Sequence, residues 1–476
     1  MYEAVIGLEV HVQLLTESKL FCGDSAAFGG DPNTHVSPIT LGHPGTLPRM
    51  NRKAIEYAVK LGLVLECDIV RRNYFARKHY FYPDLPKGYQ VSQHTTPICR
   101  GGRVLIRTEA GVRPVVLNRI HMEEDAGKSL HDQDPVYSQV DFNRAGVPLL
   151  EIVTEPDLHS GEEASAYLTE LRKIVRHLGI CDGNMEEGSM RCDVNISIRP
   201  TGETRLGTKV EVKNMNSIRN VRKAIAFEIE RLEALVSSGG TVVQETRSYD
   251  AGTETTRSIR TKEHAEDYRY FAEPDLTPFK ITEAFLQSVR ESIPLLPEAL
   301  FERYTGELNL SEYDARIISD DKGLSTWYEA LIRKTNAYKA AANWVLGPVK
   351  AYCNDKQIDI SDYPLKPAQL GEVISLVEEG KVSFSVASSR LVPYMIGEGG
   401  ISASEAAARL NILQDHDADN ILPLVESVLD SMPDKVREYR KGKKGLVSLF
   451  VGEVIKRSKG KADPKIVHQL LAEKLK

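Results

Sequence analysis

The stretch Cys192-Asp-Val-Asn-Ile-Ser-Ile-Arg199, followed by Pro200-Thr-Gly-Glu203 and then Lys209-Val-Glu-Val-Lys213, decides the architecture. Side chains on an extended strand alternate between two faces. Val194, Ile196 and Ile198 therefore share one face, and Asp193, Asn195 and Ser197 the other. Val210 and Val212 repeat the pattern against Lys209, Glu211 and Lys213. The Pro-Thr-Gly-Glu segment between the two runs is a turn signal. Together they predict an antiparallel hairpin with one apolar and one charged face. On that charged face Asp193, Asn195, Lys209, Glu211 and Lys213 lie side by side, and Arg191 stands just upstream. Acids for Mg²⁺ beside lysines for phosphate are what a nucleoside-triphosphate site needs. Arg191 adds a bidentate phosphate donor.

Working outward, residues 1 to about 290 mix short alternating strands, Gly/Pro turns and a few helices without a regular βαβ rhythm. That favours an α+β fold with a largely antiparallel sheet. In the first strand, Ile6, Leu8, Val10 and Val12 point one way, and Gly7, Glu9, His11 and Gln13 the other. Glu9 and His11 are then neighbours on one face, either as ligands or as part of a solvated surface. The segment His121-Met-Glu-Glu-Asp-Ala-Gly-Lys128 carries three consecutive acids. They repel one another unless solvent or a cation screens them, so a cation site and a surface acidic turn both fit. Glu151 sits inside the apolar run Val-Pro-Leu-Leu-Glu-Ile-Val. A buried carboxylate is costly unless it binds metal or is paired, so Glu151 reads either as a metal ligand or as the partner of a buried arginine.

Absent motifs narrow the chemistry. The chain has no G-x-x-x-x-G-K-[ST] loop, no G-x-G-x-x-G after a strand, no kinase catalytic set and no G-x-S-x-G elbow. Any ATP site must be built from strands.

Helices punctuate the rest. Ser160 and Glu163 form an S-x-x-E cap before a helix whose apolar face is Ala164, Leu168, Leu171, Ile174, Val175 and Leu178, stopped by Gly179. A second runs from about Ser217 to Val236. After Pro294 the pattern turns helical. The expected domains are 1–293, a helical domain 294–401, and a small helical tail 402–476 that starts with Ser-Ala-Ser-Glu-Ala-Ala-Ala-Arg-Leu. One tail helix carries Leu446, Val447, Phe450, Val451, Val454 and Ile455. Another has Asp463 as cap, then Pro464, Val467, Leu470 and Leu471. Between them lies Lys456-Arg457-Ser458-Lys459-Gly460-Lys461.

Charge is unevenly spread. The 476-residue chain has net charge −6, yet residues 435–476 hold 13 Lys/Arg against 4 Asp/Glu. Such a basic end suits an acidic partner such as RNA, or is a solvated helical tail. The six cysteines form no C-x-x-C pair, which fits reduced thiols. The start Met-Tyr-Glu-Ala-Val lacks the basic n-region of a signal peptide, and no apolar run is long enough for a bilayer. A cytoplasmic protein without membrane contact is expected.

Taken together, GLEVHVQL, RKHYFYPDLPKGYQVSQ, HMEEDAGK, NRAGVPLLEIVTEPD, MEEGSMRCDVNISIR, KVEVKNMNS and DYRYFAEPDL resemble, in order and spacing, the GatB family, the B subunits of aspartyl/glutamyl-tRNA(Asn/Gln) amidotransferases. The likeness continues through YDA at 313–315, NWVLG at 343–347 and GKADP at 460–464. The resemblance implies an α+β cradle domain, a helical domain and a tail domain of YqeY type. It also implies a ligase forming C–N bonds with glutamine as amide donor, working as a heterotrimer with the family's A and C subunits. In that family the glutaminase (A) subunit releases ammonia from glutamine. The B subunit uses ATP to phosphorylate the side-chain carboxylate of Glu-tRNA(Gln) or Asp-tRNA(Asn), and ammonia then displaces phosphate. By motif position, the resemblance assigns Glu9, His11, Glu124 and Glu151 as catalytic Mg²⁺ ligands. It assigns Lys78, Tyr82, Arg191, Asp193, Asn195, Glu211 and Lys213 to nucleotide and phosphate.

The chain departs from the family at its zinc cysteines, a C-x-C followed by C-P-x-C. Only Cys22 remains; Asp24, Ser37 and Thr40 occupy the other positions. One thiolate cannot close a tetrahedral zinc site, so no zinc is expected. Phe271-Ala272-Glu273-Pro274-Asp275 stands where the family has F-P-E-P-D. Two other readings compete: a non-catalytic tRNA-binding scaffold, against which the intact Glu9, Glu124 and Glu151 argue, and a metal-dependent hydrolase acting alone.

Overall fold

One strand organises the first part of the chain. In the computed structural model, which describes residues 2–130, 134, 136–261, 268–399, 401–413, 418–458 and 461–475, Tyr2–Gln13 is central in a ten-stranded sheet. Asp267, Lys459 and Gly460, which belong to motifs quoted above, lie outside the described residues.

Tyr2–Gln13 pairs antiparallel with Met190–Pro200 on one side and Pro148–Thr154 on the other. Beyond the first lie Val210–Lys213, Glu245–Asp250 and Thr255–Thr261; beyond the second, Gly111–Glu124, which pairs with both Arg103–Thr108 and the first of two short strands. Among the described strands, only Val210–Lys213 with Glu245–Asp250 is parallel. The hairpin read from sequence forms with Asn195 opposite Glu211 and Val194 opposite Val212, and Glu203 N closes its turn on Pro200 O at 3.0 Å. Alternation fixes this register. Leu8, Val10, Val12, Leu150, Ile152, Val194 and Ile196 are all at most 1% exposed. A one-residue slip would bury Glu9 and His11 and expose these instead. Truncating any one of them to Ala costs about 2–5 kcal/mol.

Three helices share the core with that apolar face: α1 (Arg52–Val64), α2 (Gly161–Leu178) and α3 (Ile218–Ser237). In α2, Ala164, Leu168, Leu171 and Val175 are fully buried, and Gly179 ends the helix at φ 68°. Ser160 Oγ caps Glu163 N at 3.1 Å. Glu163 does not return the bond to Ser160; it accepts from His159 N at 2.8 Å and pairs with Arg113. The cap is thus half of the expected box, because a buttressing arginine draws the carboxylate away.

The chain divides into two units, Met1–Leu296 and Pro297–Lys476. The described part of the second is helical and holds two hydrophobic clusters, one from Leu300 to Ile412 and one from Ile421 to Leu475. Helix Ala403–Arg409 was expected to open the tail. Its Ala403, Ala406 and Ala407 are instead buried in the first cluster, because three methyl-bearing positions at helical spacing make a flat face that packs closely. The last two helices are Val447–Arg457 and Pro464–Lys474, the latter capped by Asp463. No helix of the described residues is long and apolar enough to cross a membrane.

Candidate active site

The polar face of the sheet collects side chains from five strands. Register alone places Glu9 opposite Asp193, and His11 between Arg191 and Glu151. Glu151 in turn faces His121, and Leu149 faces Glu123. At the centre, His11 Nε2 lies 3.3 Å from Glu151 Oε2 and 3.8 Å from Glu123 Oε1. His121 Nε2 stands 3.4 Å from Glu151 and 3.5 Å from Glu123. One ligand-type atom each from His11, Glu123 and Glu151 fall within 4.8 Å of one another.

Electrostatics follows from this crowding. Burial opposes charge on both histidines, but hydrogen bonds and the charges of Glu151 and Glu123 outweigh it. His11 is therefore raised above the usual 6.5, and His121 is raised to about 9. Burial works against the Glu151 carboxylate, yet the two imidazoles hold it far below the ordinary carboxylate range. Both shifts favour imidazolium protons beside the acids. His121 Nδ1 is buried with no hydrogen-bond partner among the described residues.

Beside this cluster the hairpin contributes its charged face. Lys213 Nζ bonds Asp193 at 2.8 Å and lies 3.2 Å from Glu211; Asn195 Nδ2 donates to Glu9 Oε1 at 2.9 Å. Burial disfavours the Lys213 ammonium, but Asp193 and Glu211 raise its pKa well above the usual value. Arg191 bonds the buried Asp125 at 2.9 Å, and Gln13 donates to the same carboxylate at 2.6 Å.

The structure thus brings Glu9, His11, Glu151, Arg191, Asp193, Asn195, Glu211 and Lys213 onto one face. It does not bring Glu124 there. Alternation along His121-Met-Glu-Glu turns Glu123 toward Glu151 and Glu124 away. Glu124 is 1% exposed, pairs with Lys87 at 2.7 Å and accepts from Val91 N at 2.8 Å. Burial nonetheless pushes its carboxyl up. Lys78 and Tyr82 lie elsewhere again. Lys78 is on the strand Ala76–His79 of a separate three-stranded sheet, and Tyr82, 62% exposed, follows it. Glu123 and His121 went unassigned in the sequence. Alternation puts His121 and Glu123 on one face and Glu124 on the other, but which face meets Glu151 is set by the long-range pairing with Pro148–Thr154.

Around Cys22, Asp24, Ser37 and Thr40 the ligand-type atoms are mostly oxygens. Asp24 Oδ2 accepts from Cys22 Sγ at 3.3 Å, from Ser37 N at 2.9 Å and from Thr40 Oγ1 at 2.5 Å. Burial raises the Asp24 pKa, but these donors together lower it below the usual value. Burial raises the Cys22 thiol, which stays protonated.

Residues 4–287 match the GatB/GatE catalytic domain, and residues 326–475 match the GatB domain. The chain belongs to the GatB family. It is 46% identical over 475 residues to an aspartyl/glutamyl-tRNA(Asn/Gln) amidotransferase B subunit from Thermodesulfovibrio yellowstonii, covering 100% of this chain and 99% of that one. The protein of the same name from Syntrophotalea carbinolica is 47% identical over 474 residues, covering 100% and 98%. That from Geobacter sulfurreducens is 46% identical over 478 residues, covering 100% and 99%. The GatB/GatE match includes every residue of the sheet face described above, and the GatB match spans residues from both helical clusters.

Proposed function

We propose that the polar sheet face is where a tRNA-borne carboxylate is activated by ATP and then amidated. Family membership makes the chain the B subunit of a tRNA-dependent amidotransferase, a ligase forming C–N bonds with glutamine as amide donor. The observation that carries the site reading is the convergence of His11, Glu123 and Glu151 from three strands. Two carboxylates suit Mg²⁺, and the imidazole is a ligand that Mn²⁺ takes more readily. A divalent cation held by these three would neutralise charge on a transferring phosphoryl group and orient it.

The chain's own residues supply the rest. His121 bridges Glu151 and Glu123 through Nε2 and so orients both ligand carboxylates. Arg191 and Lys213 stand on the same face as donors for phosphate oxygens, each anchored by a carboxylate until a nucleotide arrives. Asn195 holds Glu9 one position along the strand from the cluster. In the reaction, an oxygen of the Glu or Asp side chain attacks the γ-phosphorus and the bond to ADP breaks. Ammonia then attacks the activated carbonyl carbon, phosphate leaves with the bonding pair, and the nitrogen loses a proton.

The partners in this reading are the family's A and C subunits, together with misacylated tRNA(Gln) or tRNA(Asn), in the cytoplasm. Zinc has no part in it. The basic tail would meet tRNA phosphates, adding affinity that falls with salt. The test is ATP consumption by the reconstituted heterotrimer. It should be stimulated by Glu-tRNA(Gln) or Asp-tRNA(Asn), with amide product depending on glutamine. Release of a hydrolysis product by the isolated chain, independent of glutamine, would favour a hydrolase instead.

A further inference from the structure

A row of aromatic rings runs beside the carboxylate cluster and takes no part in the chemistry above. Tyr82, Tyr80, Tyr268, Tyr270 and His94 form a chain in which each ring touches the next. Centroids are 6.4 Å apart for Tyr82 and Tyr80, 6.1 Å for Tyr80 and Tyr268, and 6.0 Å for Tyr268 and Tyr270. Tyr270 and His94 stack at 4.1 Å with an interplanar angle of 6°. His94 and Tyr82 are exposed at the two ends. Lys78 Nζ sits over the middle, 4.9 Å from the Tyr268 centroid and 5.7 Å from that of Tyr80.

The row is tied to the active face. The strand Tyr89–Ser92 runs against the end of the Gly111–Glu124 strand, and Ser92 Oγ reaches Glu123 Oε2 at 3.4 Å. His94 is two residues further on, and two extended residues span at most about 7 Å. Tyr270 feels the charges of Glu123 and Glu151.

We infer that this row, from His94 and Tyr270 to Tyr82 with Lys78 beside it, is a stacking shelf for the unpaired 3′ end of the tRNA substrate. Here the two end rings are exposed and Tyr80, Tyr268 and Tyr270 between them are half-buried; accessible rings in series with a cation alongside are how proteins take up single-stranded RNA without a groove to read. A series of rings fits successive bases, whereas ATP offers one. The Lys78 ammonium complements the phosphates between those bases. His94 is two residues from Ser92, which reaches Glu123, so the terminal nucleotide, which bears the esterified amino acid, would settle at that end.

This rests on the function proposed above, and binding separates the two. The reconstituted heterotrimer is titrated with intact tRNA and with tRNA trimmed of its unpaired 3′ end. Tyr270→Ala and His94→Ala should each weaken intact tRNA roughly ten-fold, leave trimmed tRNA unchanged and leave KM for ATP unchanged. Tyr270→Phe, which keeps the ring, should bind like the unsubstituted protein and controls for misfolding. Equal losses with intact and trimmed tRNA, no loss with either, or a raised KM for ATP would each overturn the shelf. If the unsubstituted complex consumes no ATP, the function reading fails, while the two tRNA titrations still decide the shelf.

Discussion

At the His11 cluster, three ligand-type atoms from three strands lie within 4.8 Å of one another, and the surrounding carboxylates raise both imidazoles so that protons are favoured there. At the Cys22 turn, a thiol, a backbone N–H and a hydroxyl all donate to one carboxylate oxygen of Asp24. Both regions bring together side chains of metal-binding type. They differ in how their hydrogen bonds are satisfied. In the first, acceptors outnumber fixed donors and the protons can leave, so a cation can replace them. In the second, each group already has its partner, and the carboxylate that centres it is needed where it is. Residue type marks both as candidates; only the balance of donors and acceptors tells an open site from a closed one.

Removing a ligand from the open site should have the largest effect. Glu151→Gln keeps the shape but strips the charge that both histidines face. Tracked as amide formation on tRNA by the heterotrimer, its rate should fall at least about 100-fold, while glutamine hydrolysis by the glutaminase partner persists. Undiminished amidation would place the cation elsewhere. Glu123→Gln should behave alike.

A second substitution probes the ground between the two regions. Lys87 and Glu124 are 6% and 1% exposed at the side chain and pair with each other, and buried Lys19 lies within electrostatic reach of both and of Asp24. Lys87→Ala strands a buried carboxylate, which costs about 3–5 kcal/mol of stability. The double variant with Glu124→Gln should recover much of it in urea unfolding. A Lys87→Ala protein as stable as its parent would mean that the pair is solvated.

The protons at the cluster give a pH dependence. His121 is raised from 6.5 to about 9, so its share of stability is fully present below pH 6.5 and disappears as pH rises through about 9. The loss should be on the order of 3 kcal/mol in cation-free protein. His121→Gln should flatten the slope, and saturating Mg²⁺ or Mn²⁺ should flatten it too, because the acids then have another counter-charge. A slope unchanged in His121→Gln would assign it to other groups.

Local periodicity is enough to read half of this site from the sequence. Glu9 beside His11, and Asp193 with Asn195 opposite Glu211 and Lys213, follow from alternation and one turn. The match of Tyr2–Gln13 with Pro148–Thr154 joins segments over 100 residues apart, and nothing local fixes it or the pairing of Pro148–Thr154 with Gly111–Glu124. Glu123 and Glu124 are adjacent acids in one short run. Which of them meets Glu151 depends on that long-range register, so the choice of Glu124 rested on motif position alone. The helix Ala403–Arg409 was misplaced for a related reason. An alanine face signals close packing and says nothing about which neighbour it packs against. It also moves the useful truncation: a tail deletion should begin after residue 413, where the first helical cluster has ended.

The smallest expected effect belongs to the closed region, and it tests the comparison most directly. Asp24→Ala removes the acceptor on which Cys22, Ser37 and Thr40 converge and should cost about 1 kcal/mol for each bond that water does not replace. Because the Asp24 pKa is lowered, its contribution is present above the ordinary carboxylate pKa and is lost as pH falls below it, opposite in sign to the cluster. Asp24→Asn should therefore remove an acid-limb dependence and leave the alkaline one intact. The combination Asp24→Cys, Ser37→Cys and Thr40→Cys places four sulfurs around one turn with Cys22, and thiolates lose their protons to zinc far more readily than a hydroxyl does. That variant should bind about one zinc per chain by metal analysis while the parent binds none. Zinc in the parent at that ratio would mean that an oxygen-rich turn with a single thiol is open after all, and that hydrogen-bond satisfaction is not what separates the two regions.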